Sequence, residues 1–295
     1  ERYKMKDYCL RVTSKNGEVR GFFSTSRNMV EAARGFHNTT KVATAALGRT
    51  LTATSMMGLM MKNPNDKVTI IIKGGGPIGT ILTTSDVNGM AKGYVTNPGV
   101  EVENYANGKL NVAGAVGHEG TIKVIKDLGM REPYNGEYEM VSGEIAKDFT
   151  YYFTVSEQTP SAVALGVLTR SDEVEQAGGF IVQMMPDATE ETISILENNI
   201  SGLESVTHML SKGMTPEDIM EVVMKGLDPQ ILDYKEIGFE CDCSKDRVAK
   251  VFVAIGKDQL TDIIEEDHGA EVGCQFCNSK YQFTEEELRE ILGEM

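Results

Sequence analysis

Apolar and polar positions alternate over Tyr8–Thr13 and again over Glu18–Phe23, and the two stretches flank Lys15-Asn16-Gly17. Alternation across an Asn-Gly turn predicts a β-hairpin. The period then lengthens. Ser26–Phe36 and Thr40–Met61 have helical character; the second is long and rich in Ala, Leu and Met, with Ala43, Ala46 and Ala53 small enough for close packing. Strands are predicted next over Val68–Lys73, Thr80–Thr84, Ala91–Thr96, Lys109–Ala113, Thr121–Lys126 and Gly136–Ser142, separated by turns such as Val87-Asn88-Gly89 and Asn97-Pro98-Gly99. Phe149–Ser156 fits a strand by its aromatics and a helix by its length. Ser161–Leu168 and Gly179–Met185 predict two more strands. The layout is that of an α+β fold, with mostly antiparallel sheets covered by helices.

After Pro186 the pattern changes. Thr189-Glu190-Glu191 opens a helix along which Ile193, Leu196 and Ile200 recur, and Leu203, Val206 and Leu210 repeat the spacing. Thr215-Pro216-Glu217-Asp218 supplies a capping hydroxyl, a proline at the first helical position and acids in the first turn; Met220, Val223 and Met224 follow on one face, and Gly226 can stop the helix. Such short acidic amphipathic helices must lie on another surface to hide their apolar stripes. Further on, Arg247–Ile255 and Lys257–Glu266 predict helices and Ser279–Phe283 a short strand, and Thr284-Glu285-Glu286-Glu287 is a capping box for a last helix with Leu288, Ile291 and Leu292 inward. Three regions follow: an α+β core over 1–180, an acidic helical linker over 181–236 and a small module over 237–295.

Length and composition fit this division. The 295 residues suffice for about two domains of roughly 150 residues, and 41% hydrophobic with 25% charged residues is an ordinary globular mix. Met56–Met61 and Val68–Ile72 fall far short of a membrane span, so no membrane partner is expected. Glu1–Lys6 is not followed by an apolar stretch, so no export signal is expected and a reducing cytoplasm is the expected compartment. The net charge of −15 is unevenly placed: +1 over 1–180, −8 over 181–236 and −8 over 237–295. A module built to grip phosphates is normally basic, so nucleic acid is not an expected partner.

Candidate chemistry concentrates in the last region. Four of the five cysteines form Cys241-Asp242-Cys243 and Cys274-Gln275-Phe276-Cys277, with 30 residues, Ser244–Gly273, between the pairs. Each pair can present two sulfurs to one point, and in a reducing compartment this spacing points to an all-thiolate zinc site at Cys241, Cys243, Cys274 and Cys277. Few large apolar groups serve the 59 residues of the module, so the metal is expected to be needed for it to fold. Spacing leaves open whether such a zinc is purely structural or a switch. Four thiolates around Zn²⁺ leave a local charge of −2, which attracts electrophilic oxidants such as peroxide or hypochlorous acid, and oxidation of two sulfurs removes half the ligands. A thioredoxin-like site is disfavoured because the CxxC lies late in the chain, outside any βαβ pattern.

Other features carry less. Cys9, on the first strand, reads as a small buried hydrophobe. Lys73-Gly74-Gly75-Gly76-Pro77-Ile78-Gly79 lacks the Gly-Lys-Ser/Thr ending of a phosphate loop and reads as a turn between strands. His37, His118, His208 and His268 are scattered, and His268 would be a fifth ligand on a complete site. No catalytic residues emerge, so no enzyme is expected. Of the 16 methionines, Met184, Met185, Met209, Met214, Met220 and Met224 cluster in the last core strand and the linker, where a face that repacks cheaply suits promiscuous binding.

Phe239-Glu240-Cys241-Asp242-Cys243-Ser244-Lys245-Asp246-Arg247 and Gly273–Phe283 together resemble the redox switch of the heat shock protein 33 family of bacterial chaperones. Gly74–Gly79, Gly93–Pro98 and Tyr151–Ala162 are similar to that family's core segments, so the resemblance spans essentially the whole chain. It implies an ATP-independent holdase, inactive when reduced and holding one Zn²⁺ per chain. Oxidative stress, aided by unfolding conditions such as heat, would form Cys241–Cys243 and Cys274–Cys277 disulfides, release zinc and unfold the module and linker. The exposed apolar surface would then bind unfolding client proteins, with homodimerisation on oxidation and later hand-over to ATP-driven foldases. A static zinc-ribbon binding module and a thiol–disulfide oxidoreductase are the competing functions.

Overall fold

The computed structural model describes residues 6–295; the segment 1–5, on which the expectation about export partly rests, lies outside the described residues. The chain divides into two compact units, Glu1–Glu240 and Cys241–Met295.

The larger unit is built on two sheets. In the first, β1 (Tyr8–Thr13) and β2 (Val19–Thr25) form the predicted hairpin, and the spatial order is β10-β1-β2-β9-β8, all antiparallel. Its later strands are β8 (Ser161–Arg170), β9 (Glu173–Met184) and β10 (Gln230–Glu236). In the second, β3 (Lys67–Lys73), β4 (Thr80–Asp86), β5 (Met90–Val95), β6 (Thr121–Asp127) and β7 (Tyr134–Glu139) pair antiparallel, and β11 (Gly238–Phe239) adds to β5 in parallel. The expected α+β class with mostly antiparallel sheets is therefore the observed one.

Helix α1 (Arg27–His37) leads into α2 (Lys41–Gly58), which packs against strands of both sheets and is buried at 16 of its 18 positions. Its sequence permits this. Small residues let the strands approach, and a Cβ at Gly58 would overlap the Asp86 carbonyl. The hydroxyls of Thr44, Thr50, Thr52 and Thr54 each bond the carbonyl four residues back, at 2.7–2.9 Å, so a polar helix is buried without unpaired hydroxyls.

Three sequence expectations are corrected or resolved here. Lys109–Ala113 is not a strand: Asn111 Oδ1 accepts from Gly114 N at 2.7 Å and starts the short helix α3 (Val112–Val116). Phe149–Ser156 is helical, within α4 (Ala146–Val155), because the fully buried Asp148 carboxylate gathers the N–H groups of Val141, Ser142 and Ile145 at 2.8–3.0 Å and fixes the helix start. The range 181–236 is helical only in part: its end, Gln230–Glu236, forms β10 on the edge of the first sheet.

The linker helices α5 (Glu190–Ser201), α6 (Val206–Ser211) and α7 (Pro216–Val223) lie on the outer face of the first sheet. Period two splits that sheet: Cys9, Phe22 and Ile181 face the core around α2, while Leu10, Val12, Phe23, Phe180 and Val182 meet Leu196, Met209, Leu210, Met220, Val223 and Met224. The amphipathic stripes thus find the surface they need.

Asp7 ties α1 to β1. Its carboxylate oxygens accept from Asn28 N (3.1 Å) and Met29 N (2.7 Å), replacing a side-chain cap that Ser26 does not give. Burial pushes this carboxyl from its ordinary 3.8 up to about 6, and the two N–H donors offset only part of the rise. The folded chain then binds the proton more tightly than the unfolded chain. Asp7 therefore destabilises the fold once ionised, and this cost disappears as pH falls from above 6 to below 4. Urea unfolding at about pH 4.5 and about pH 7 should show a wild-type pH dependence that Asp7→Asn flattens by about 2 kcal/mol; identical pH dependence in the two proteins would contradict the assignment.

Candidate metal centre

The smaller unit has helices α8 (Lys245–Ile255), α9 (Lys257–Asp267) and α10 (Glu285–Glu294) around the antiparallel pair β12 (Gly269–Gly273) and β13 (Lys280–Thr284). Ser244 caps α8, accepting from Arg247 N at 3.3 Å, and the predicted capping box of Thr284 and Glu287 starts α10. Five apolar side chains are buried, Phe252, Leu260, Ile264, Phe283 and Leu288, with Phe252 edge-on to Phe283 at 4.9 Å.

The two cysteine pairs reach one point by different routes. Cys241 and Cys243 lie in the irregular stretch just before α8, with one residue between them. Cys274 and Cys277 lie in the tight turn from β12 to β13, where Cys274 N donates to Ser279 O and Asn278 N to Cys274 O, both at 2.8 Å, with Asn278 at φ +57°. All four sulfurs lie within 4.8 Å of one another. The closest approaches cross between pairs: Cys241 to Cys274 at 3.6 Å and Cys243 to Cys277 at 3.4 Å.

The thiols differ in environment. Burial raises Cys241 above the ordinary thiol range. Burial also raises Cys243, although Tyr281 Oη donates to its sulfur at 3.1 Å. That bond in turn raises the Tyr281 phenol to about 12. For Cys277 burial acts upward, but the hydroxyl and N–H of Ser279 outweigh it and bring the thiol down to about 7. Arg247 pairs with Asp242 and feels the Cys241 and Cys243 sulfurs, whereas Lys245 pairs with Glu287 and lies over the Phe283 ring.

This donor set fits zinc. Four sulfurs at Zn–S distances of about 2.3 Å stand about 3.8 Å apart at the corners of a tetrahedron, close to the 3.4 and 3.6 Å observed. They are far from the roughly 2.05 Å of a bonded disulfide. The four thiols are free, so each can serve as a thiolate donor.

A sequence profile described as Hsp33 protein matches residues 7–284. The chain belongs to the Hsp33 family. It is 70% identical over 291 residues to the 33 kDa chaperonin of Clostridioides difficile, covering 99% of this chain and all of that one. It is 50% identical to the 33 kDa chaperonin of Alkaliphilus metalliredigens, over 99% of this chain and all of the relative. The crystal structure of the Thermotoga maritima 33 kDa chaperonin, an Hsp33, superposes with a TM-score of 0.91 at 35% identity, covering 98% of each chain. As an Hsp33 the chain has a chaperone role, which implies binding of client proteins, and the family is not one of enzymes.

The other residues weighed in this Hsp33 sequence have local partners of their own. His268 caps the end of α9 and bonds Glu285 at 3.0 Å, His37 lies 3.1 Å from the Gly93 carbonyl and His208 lies 3.8 Å from Glu204. Cys9 is fully buried in the core of the larger unit, and Gly74–Gly79 is the turn between β3 and β4. No helix is long and apolar enough to cross a membrane among the described residues. Sequence reasoning missed Tyr281 and Ser279. The available signal was their position: Ser279 follows Cys277 by two residues at the end of the turn, and Tyr281 follows it by four on β13.

Proposed function

We propose that this Hsp33 chain is an ATP-independent holdase under redox control, working in a reducing cytoplasm. Cys241, Cys243, Cys274 and Cys277 hold one Zn²⁺ per chain in the reduced, inactive form. When bound, the ion supplies a cross-link between the two cysteine pairs. Hydroperoxide or hypochlorous acid then takes two electrons from each pair, forming the Cys241–Cys243 and Cys274–Cys277 disulfides. For hydrogen peroxide, each pair of thiolates takes up two protons as one peroxide becomes two waters. All four donors are lost, zinc leaves, and the module over 237–295 loses structure.

The linker over 181–236 then loosens from the core over 1–180, and apolar surface becomes available to unfolding proteins. The oxidised chain dimerises, and clients pass to ATP-driven foldases. The observation that carries this reading is the convergence of four sulfurs from two separate stretches of a unit with five buried apolar side chains. The methionine-bearing helices on the first sheet supply a sticky face that can be uncovered.

Hydrogen peroxide at elevated temperature should release about one zinc per chain, form both disulfides, and switch on suppression of client aggregation. Equal suppression by the reduced, zinc-loaded protein would overturn the proposal.

A further inference from the structure

The two hydroxyl donors in the cluster are not shared evenly. Tyr281 Oη donates to Cys243 at 3.1 Å, and Ser279 Oγ lies 3.2 Å from Cys277 Sγ, where a hydroxyl facing a thiolate is the donor. Cys241 and Cys274 have no hydroxyl partner among the described residues; Cys241 accepts the backbone N–H of Cys243 instead. Each sequence pair therefore contains one sulfur with a hydroxyl on it and one without. Cys277 is also buried. Tyr281 is anchored from behind, since its ring packs on the module core.

Resting on the redox function proposed above, we infer that each pair has a division of labour: Cys241 and Cys274 attack hydroperoxide, and Cys243 and Cys277 resolve. In a metal-bound cluster all four sulfurs are thiolates, so thiolate fraction does not separate them. The hydroxyl on Cys243 and on Cys277 does. It withdraws charge from the sulfur and must weaken as that sulfur donates its electron pair. The thiolate of each pair that lacks a hydroxyl attacks one peroxide oxygen, breaks the O–O bond and becomes a sulfenic acid as the other oxygen leaves and is protonated to water. The hydroxyl-bearing thiolate then attacks the sulfenic sulfur. The S–S bond forms and the S–OH bond breaks, with the hydroxyl protonated to a second water. Tyr281 and Ser279 are positioning residues that set which sulfur goes first.

The test uses the full-length, reduced, zinc-loaded chain, treated briefly with hydrogen peroxide in excess dimedone, which traps sulfenic acids. Mass spectrometry then quantifies the adduct at each cysteine. In the wild type, adduct on Cys241 should exceed that on Cys243, and adduct on Cys274 that on Cys277, by at least about fivefold. Tyr281→Phe keeps the ring and removes the hydroxyl, so the label should even out between Cys241 and Cys243 and stay biased in the other pair. Ser279→Ala should do the reverse. Equal label within each wild-type pair overturns the inference, as does a variant that shifts both pairs alike, because that reports a loosened module. Should Tyr281→Phe fail to retain zinc, Ser279→Ala carries the same test. Disulfides that form with a label pattern blind to both hydroxyls sink this inference and leave the redox function standing; absence of both adduct and disulfide sinks the two together.

Discussion

Chelating zinc from the reduced chain is expected to unfold Cys241–Met295 and leave the core over 6–180 folded. The two units differ sharply in what holds them. The larger one has extended cores on both faces of its first sheet and around the buried helix α2. The smaller one buries five apolar side chains, and its ion pairs are surface pairs worth little. Units of this size commonly need a metal or disulfides. A structural zinc contributes about 10–16 kcal/mol at neutral pH, as much as the whole stability of an ordinary domain. Helices α8–α10 hold about a third of the helical residues. The far-UV helical signal should therefore fall by about a third on chelation and return with zinc. Hydrogen-exchange protection should vanish over 241–295 and fall in the linker helices over 190–223, and it should persist in the core strands. A helical signal unmoved by a strong chelator would show that the module stands without its metal.

The cysteine site was legible because its information is local. Two short spacings fix which sulfurs sit together, and the intervening helices and capping box are announced by their own periodicities and hydroxyls. The hairpin at Lys15-Asn16-Gly17 and the Thr215-Pro216 helix start were legible for the same reason. What the pattern missed depends on distant partners. Gln230–Glu236 has no alternation of its own and is mostly exposed; it is a strand because β1 offers an unpaired edge. Lys109–Ala113 has strand-like composition, but one Asn side chain turns it into a helix. Phe149–Ser156 was ambiguous until Asp148 was seen to organise four donors around the start of α4. The hydroxyls of Tyr281 and Ser279 belong to the same class: their role depends on where β13 carries them, which no spacing rule states.

Val223→Asp is expected to give a chain that suppresses client aggregation while still reduced and zinc-loaded. Val223 is fully buried in α7, in the cluster where Leu10, Val12, Phe23, Phe180 and Val182 of the first sheet meet the linker methionines. An unpaired carboxylate there costs several kcal/mol, and no basic side chain belongs to the cluster. A helix of eight residues has little stability of its own, so detachment is the cheaper response. With α7 gone, α5 and α6 lose their neighbour, and the sheet face and Met209, Met220 and Met224 are uncovered together. Val223→Ala, which leaves a cavity but no charge and costs about 1–3 kcal/mol, should stay docked and inactive. Docking is read by protease cleavage within 187–228 and function by suppression of aggregation without oxidant. If Val223→Asp is cleaved there yet stays inactive until oxidised, the client surface lies elsewhere than under the linker. If it is both cleaved and active, the role of cysteine oxidation is to release this face, and the sulfur chemistry acts only through what it undocks.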